Sequence, residues 1–282
     1  MWTLNGTESV FTMLPTNQIS APRKSIPIPV FAIAIFTAAL FADWLGAWPG
    51  EVSAHGSKKD KTSGMDMSCM ADMNGVDMSS MGPSMAAMAC HMYVTPLRPP
   101  QPGDEQKAKD VVTAVKAAIE KYKDYKKAIA DGYIQGNPEV KQIQYHFNNE
   151  AYARIADQEF DPARPTSLLY ISTPTQRFKL EGVMFTARPN ATEDDLNQRI
   201  PLSVVHWHKH INFCGAPADK VKEYLGDHPK FGMFGSIHTK AACDAEHGTF
   251  MPTVFTWMIH IFPYEDDPAQ VFSMNDDIPH VH

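Results

Sequence analysis

The sequence predicts an α+β domain over residues 104–282, with a long N-terminal helix packed on a mainly antiparallel β-sheet and a disordered methionine-rich segment in front of it. Three observations lead there. Apolar residues recur with a helical period over residues 104–130, and short runs of β-branched and aromatic residues follow. Ahead of both lies a stretch with nine methionines and almost no Leu, Ile or Val.

Residues 1–54 read as a signal peptide or membrane anchor. Arg23 and Lys24 precede an uncharged apolar run over residues 30–42. It is too short to span a bilayer comfortably but suits the apolar core of a signal peptide. Pro27, Pro29 and Asp43 bound it, and Val52-Ser53-Ala54 offers a small-residue cleavage pattern. The alternative is a retained anchor through residues 26–48. Either way the rest of the chain is expected to be exported, periplasmic or extracellular. In such a compartment four cysteines, Cys69, Cys90, Cys214 and Cys243, favour disulfides. Cys214 with Cys243 is the natural pair, because both lie in the region expected to fold.

Residues 55–95 contain Met65, Met67, Met70, Met73, Met78, Met81, Met85, Met88 and Met92, set among Asp, Ser, Gly and Ala. That mixture has too little bulky apolar surface to offset the entropy of ordering it. Gly64, Gly75, Gly82 and Pro83 interrupt any amphipathic helix. The segment is therefore expected to be disordered and to gather Cu(I), since thioether sulfur suits soft ions and stays unprotonated at any pH. Cys69, Cys90 and His91 add stronger ligands. Met65-Asp66-Met67, Met70-Ala71-Asp72-Met73 and Met78-Ser79-Ser80-Met81 resemble the Met-rich regions of periplasmic copper-resistance proteins, including the copper-resistance multicopper oxidases. The resemblance covers about 28 residues and implies copper handling.

Residues 96–103 form a Pro-rich linker. Val111, Val115, Ala118, Ile119, Tyr122, Tyr125 and Ile129 then mark one helix face, with Lys and Glu on the others and Asp131-Gly132 as its stop. A shorter helix is expected near residues 149–157. Strands are expected over residues 168–172 and 178–187, separated by Thr173-Pro174-Thr175, and again over residues 200–211 and 252–262.

The most informative segment is Val204-Val205-His206-Trp207-His208-Lys209-His210-Ile211-Asn212-Phe213-Cys214. On a strand, alternate residues share a face, so His206, His208, His210 and Asn212 are expected to project together. Three histidines where a core strand normally carries Val, Ile or Leu cost several kcal/mol of desolvation unless a metal or hydrogen bonds satisfy them. His260, in Trp257-Met258-Ile259-His260-Ile261-Phe262, and His146, in Tyr145-His146-Phe147-Asn148-Asn149, are further candidates. The ligands are ranked His208, His210, His260, then His206 and His146. A lone core histidine is more often a hydrogen-bonded residue than a ligand, and it is the alternation of three that favours a metal.

The His-x-His strand with a later histidine resembles the cupin metal site, although the Glu expected a few residues on is replaced by Asn212 and Cys214. The segments around His146, His208–Cys214 and His260 also look like an uncharacterised family of secreted bacterial proteins.

A net charge of −7, with 16 Met and 12 His, suits a collector of cations and argues against nucleic acid as a partner. No Gly-x-Ser-x-Gly, His-Glu-x-x-His, Gly-rich phosphate loop or CxxC is present. Glu246 is the one acid or base considered beside the histidines. The expected function is copper binding for sequestration, resistance or delivery. The alternatives are a mononuclear copper or non-haem iron oxidase or oxygenase, and a zinc protein.

Overall fold

Among the described residues, eight strands, every pairing among them antiparallel, carry four histidines on one face and the main apolar core on the other. This computed structural model describes residue 69 and residues 81–139, 141–226, 228–275, 277 and 280. The signal peptide or anchor at residues 1–54, and Met65, Met67, Met70, Met73 and Met78, lie outside the described residues. The chain divides into Met1–Lys58 and Lys59–His282, and all described residues belong to the second unit.

The strands are β1 (Met92–Val94), β2 (Ile134–Gln135), β3 (Gln144–Asn148), β4 (Ser167–Ile171), β5 (Lys179–Ala187), β6 (His208–Gly215), β7 (Thr249–Thr253) and β8 (Trp257–Ile261). Their order is β1-β6-β8-β5-β4-β3-β2, and β7 also pairs with β6. The helices are α1 (Pro83–Ala87), α2 (Asp104–Ile119), α3 (Tyr125–Ala130), α4 (Glu150–Ala156), α5 (Glu193–Arg199), α6 (Lys240–Ala245) and α7 (Pro268–Val271). The fold is thus α+β with an antiparallel sheet.

The single long helix expected over residues 104–130 is not formed. It is divided into α2, a 3-10 turn over Glu120–Lys123, and α3. Asp124 leaves the helical region (φ −89°, ψ 98°) and caps α3 by accepting from the Lys126 backbone N–H. The break frees the Tyr122 carbonyl, which accepts from the Tyr170 hydroxyl of β4 at 2.7 Å. Apolar periodicity continues through Tyr122 and Ala128, both buried, so the pattern reads as one helix although the hydrogen bonds do not.

Strand alternation separates the two faces. Phe147, Leu168, Tyr170, Val183, Phe185, Trp257 and Ile259 pack with Ala108, Val111, Val115 and Ile119 of α2 in the main core. Lys209 follows the same side and places its ammonium over Trp257, 4.4 Å from the ring centre. The opposite face receives His208 and His210 of β6, His260 of β8 and His146 of β3. That face is concave. β3 and β8 are separated by β4 and β5, which in a flat sheet would hold them roughly 14 Å apart at about 4.8 Å per step. The His146 and His260 ring centres lie only 5.9 Å apart.

Two features support the curl. The β4–β5 register shifts between Leu169 and Tyr170, a bulge that increases local twist. Gly182 lies beside β8, where a Cβ would sit 2.6 Å from the Ile261 oxygen and 2.7 Å from the Phe262 ring. Only glycine lets the two strands close there.

The methionine-rich segment joins the fold from Met81 onward, contrary to the disorder expected for that part of it, while residues 55–68 and 70–80 lie outside the described residues. Met81, Met85 and Met92 are buried with Ala89, Val94 and Met274, and Met88 packs against them. Their apolar partners come from β1 and from the distant C-terminal segment, so local composition does not reveal this core. The Ser84 backbone N–H and hydroxyl both donate to the Asp277 carboxylate, fastening α1 to that segment. Among the described residues no helix is long and apolar enough to cross a membrane.

Candidate metal centre

β6 begins at His208, not near residue 200 as expected, because residues 200–207 form turn and irregular backbone. His206 therefore precedes the strand. Its Nδ1 donates to the Thr95 carbonyl at 2.7 Å, and it lines an open groove of about 1190 Å³ shared with the start of α2 and the 265–274 segment. Asn212 also departs from the expected alternation. It adopts φ +57° and donates through Nδ2 to the Cys90 carbonyl at 3.1 Å.

The other four predicted histidines form a continuous row. The ring-centre separations are 5.9 Å for His146–His260, 5.6 Å for His260–His208 and 5.7 Å for His208–His210. His208, His210 and His260 are buried, at 2%, 8% and 6% exposure, and His146 is half-buried. Two imidazoles sharing one ion at metal–nitrogen distances of ~2.0–2.1 Å have ring centres roughly 5–5.5 Å apart. The observed ring-centre spacings, between 5.6 and 5.9 Å, lie just beyond that range. The arrangement offers neighbours in pairs. Among the described residues, the one group of three His, Cys, Asp or Glu side chains whose ligand atoms all lie within 4.8 Å of one another is Cys69, Cys90 and His238.

The register places a methionine directly across from three of the four histidines. Met92 of β1 is opposite His210, Met258 of β8 is opposite His208, and Met184 of β5 is opposite His260. Directly opposed residues share a face with Cβ atoms about 4.5–5.5 Å apart, so thioether and imidazole donors alternate across the concave surface. Met184 and Met258 were not among the sequence-predicted ligands. Both stand in ordinary strands, and the only signal for them is strand register.

Sequence reasoning also missed a buried polar group on this face. Glu181, 1% exposed, sits at the β5 bulge, where it accepts from Gln144 Nε2 at 2.8 Å and from the His280 backbone N–H at 3.1 Å. The His280 ring is fully buried, stacked on Phe262 at 3.7 Å, with Nδ1 on the Glu265 carboxylate and Nε2 on the Asn275 carbonyl. It fastens the C-terminal segment to β5 and the end of β8.

Both disulfides are formed. Cys69 is bonded to Cys90, and Cys214 to Cys243, as befits an oxidising, non-cytoplasmic compartment. Cys69 and Cys90 are therefore not thiolate ligands in this state. His91 is 1% exposed, with Nδ1 on the Asn212 carbonyl (3.0 Å) and Nε2 on the Gly235 carbonyl (2.7 Å), so its role is to hold the Cys90 turn against β6.

Glu246 lies on a surface ion-pair network. Lys220 Nζ at 2.7 Å and Lys230 Nζ at 2.6 Å hold its carboxyl down at about 2, against an ordinary 4.5. A carboxyl depressed in the folded state stabilises the fold above its unfolded value, and that contribution disappears as pH falls from 4.5 towards 2. Glu246→Gln is therefore expected to flatten the acid limb of stability in this window and leave neutral-pH metal binding unchanged. Thermal melts across the range, with metal titrations at neutral pH, check both.

No known protein family, curated protein or solved structure matches the chain.

Proposed function

We propose that this is an exported copper-binding protein that holds copper on the His146–His260–His208–His210 row, for sequestration, resistance or delivery. The observation that carries the reading is the alternation of imidazole and thioether donors across one concave, largely buried face. Thioethers select Cu(I), whereas imidazole alone would serve copper, zinc, iron or nickel equally. The half-buried His146 gives the row a solvent-facing end. Neighbouring pairs suit a cuprous ion, which needs few ligands, and let it pass from pair to pair. The zinc reading draws less support, because structural zinc sites use four closed Cys, His or carboxylate ligands. The non-haem iron reading draws less support, because among the described residues no carboxylate has its oxygen within 4.8 Å of the ligand atoms of two histidines that are themselves that close.

The test is competitive titration of the purified, disulfide-intact protein with Cu(I), Cu(II), Zn(II) and Fe(II). Tightest binding is expected for Cu(I). A combined Met92→Leu, Met184→Leu and Met258→Leu variant is expected to lose Cu(I) affinity while retaining Cu(II), since Leu nearly conserves volume and costs under about 1.5 kcal/mol per site. Tighter binding of zinc than of Cu(I), or no effect of the three substitutions, would sink the reading.

A further inference from the structure

We infer a second, redox-gated metal site at Cys69, Cys90 and His238, separate from the histidine row and independent of it. The ligand atoms of these half-buried residues all lie within 4.8 Å of one another. In the oxidised chain the two sulfurs are joined and present no thiolate.

The surroundings are already arranged for coordination. A carbonyl can only accept, so the 3.1 Å contact between His238 Nδ1 and the Ser236 oxygen is a hydrogen bond donated by the ring. In the neutral ring that bond puts the lone pair on Nε2. A backbone acceptor orienting the non-ligating nitrogen is the usual outer-shell partner of a metal-bound histidine. Cys90 ends up beside it because the 3-10 turn over Ala89–His91 is tied down twice. Asn212 donates to the Cys90 carbonyl, and His91 spans from β6 to the carbonyl of Gly235, three residues before His238. These contacts involve neither sulfur, so the turn and the 235–238 loop stay together when the disulfide opens.

The gating step is a thiol–disulfide exchange. A dithiol transfers two electrons and two protons to the Cys69–Cys90 bond. The S–S bond breaks, two cysteine thiols form, and the dithiol becomes a disulfide. Binding of Cu(I) then displaces the two thiol protons, giving two Cu–S bonds and one bond to His238 nitrogen. Two thiolates and one imidazole make a three-donor set soft enough for Cu(I). Cys214 and Cys243 are both 0% exposed, so the half-buried Cys69–Cys90 pair is the one a reductant reaches first.

The experiment titrates Cu(I) against a chromophoric cuprous chelator, in a His208→Ala/His260→Ala background that removes the row. Protein is compared before and after dithiol treatment, with the dithiol removed anaerobically and retention of Cys214–Cys243 checked by mass after alkylation. One additional equivalent is expected only after reduction, with thiolate-to-copper charge-transfer absorption. Alkylating the two thiols should abolish it without any substitution at the site, and Cys69→Ser/Cys90→Ser should show no difference between the two states. His238→Ala should weaken it by at least the roughly 10–100-fold that loss of an outer-shell partner costs. Absence of the extra equivalent, or an extra equivalent indifferent to His238→Ala, overturns the inference. Loss of copper from the row alone leaves it standing.

Discussion

His208→Ala is expected to remove most of the copper affinity of the proposed histidine row. His208 is one of the two inner members of the row, with ring centres 5.7 Å from His210 and 5.6 Å from His260, so its removal breaks both pairs formed by buried histidines and leaves only His146 beside His260. Replacing His206 instead should leave binding intact, because that ring is held by the Thr95 carbonyl before the strand begins. Linkage supplies the readout. A ligand present at 100 times its Kd stabilises the fold by ~2.7 kcal/mol, so copper should raise the melting temperature of the wild type and of His206→Ala. The rise should be much smaller for His208→Ala, which keeps only the His146–His260 pair. The variant should still fold, since the main core lies on the other face of the sheet. An unchanged copper-induced shift in His208→Ala would show that the row holds no ion.

The second large effect concerns the Cys214–Cys243 disulfide. It joins the end of β6 to α6 across 29 residues, and loop-closure entropy gives about 3–4 kcal/mol for a crosslink of that span. Both sulfurs are buried with Phe231 and Ile237. Gly248 is packed so closely that an added Cβ would sit 2.6 Å from Cys214 Sγ and 2.8 Å from Cys243 Sγ. Cys214→Ala/Cys243→Ala is expected to lower unfolding free energy by that amount in urea titrations at neutral pH. A midpoint unchanged from the wild type would mean that the small apolar cluster, not the crosslink, holds the corner. Because β6 also carries His208 and His210, the variant should bind copper less tightly, though by less than His208→Ala.

Several parts of the molecule were legible before any coordinates. The β-branched and aromatic runs located β4 and β5 to within a residue, whereas the single strand expected over residues 252–262 is divided between the end of β7 and β8. Val111, Val115 and Ile119 of the expected apolar stripe are buried, joined by Ala108, while Ala118 is half-buried and Ile129 is exposed. The Cys214–Cys243 pairing followed from where the two cysteines fall. Other parts were misread for specific reasons. Lys121-Tyr122-Lys123-Asp124 has helical periodicity, but the Tyr170 hydroxyl competes for the Tyr122 carbonyl. Residues 200–207 are apolar enough for a strand, yet the Val204 and Val205 backbone N–H groups both return to the Pro201 carbonyl in a turn. Met81, Met85 and Met92 were placed outside the core because their partner Met274 is nearly two hundred residues away.

Which histidines could share a face was written into the alternation of His208 and His210 and into the apolar setting of His260, since side-chain direction along a strand repeats every two residues. That His146 meets His260, and that Met92, Met184 and Met258 oppose their histidines, was decided by register, by the β5 bulge and by the close approach at Gly182. Such relations depend on how strands distant in the chain pair and curl. No local pattern encodes them, because they arise from the packing of the whole sheet.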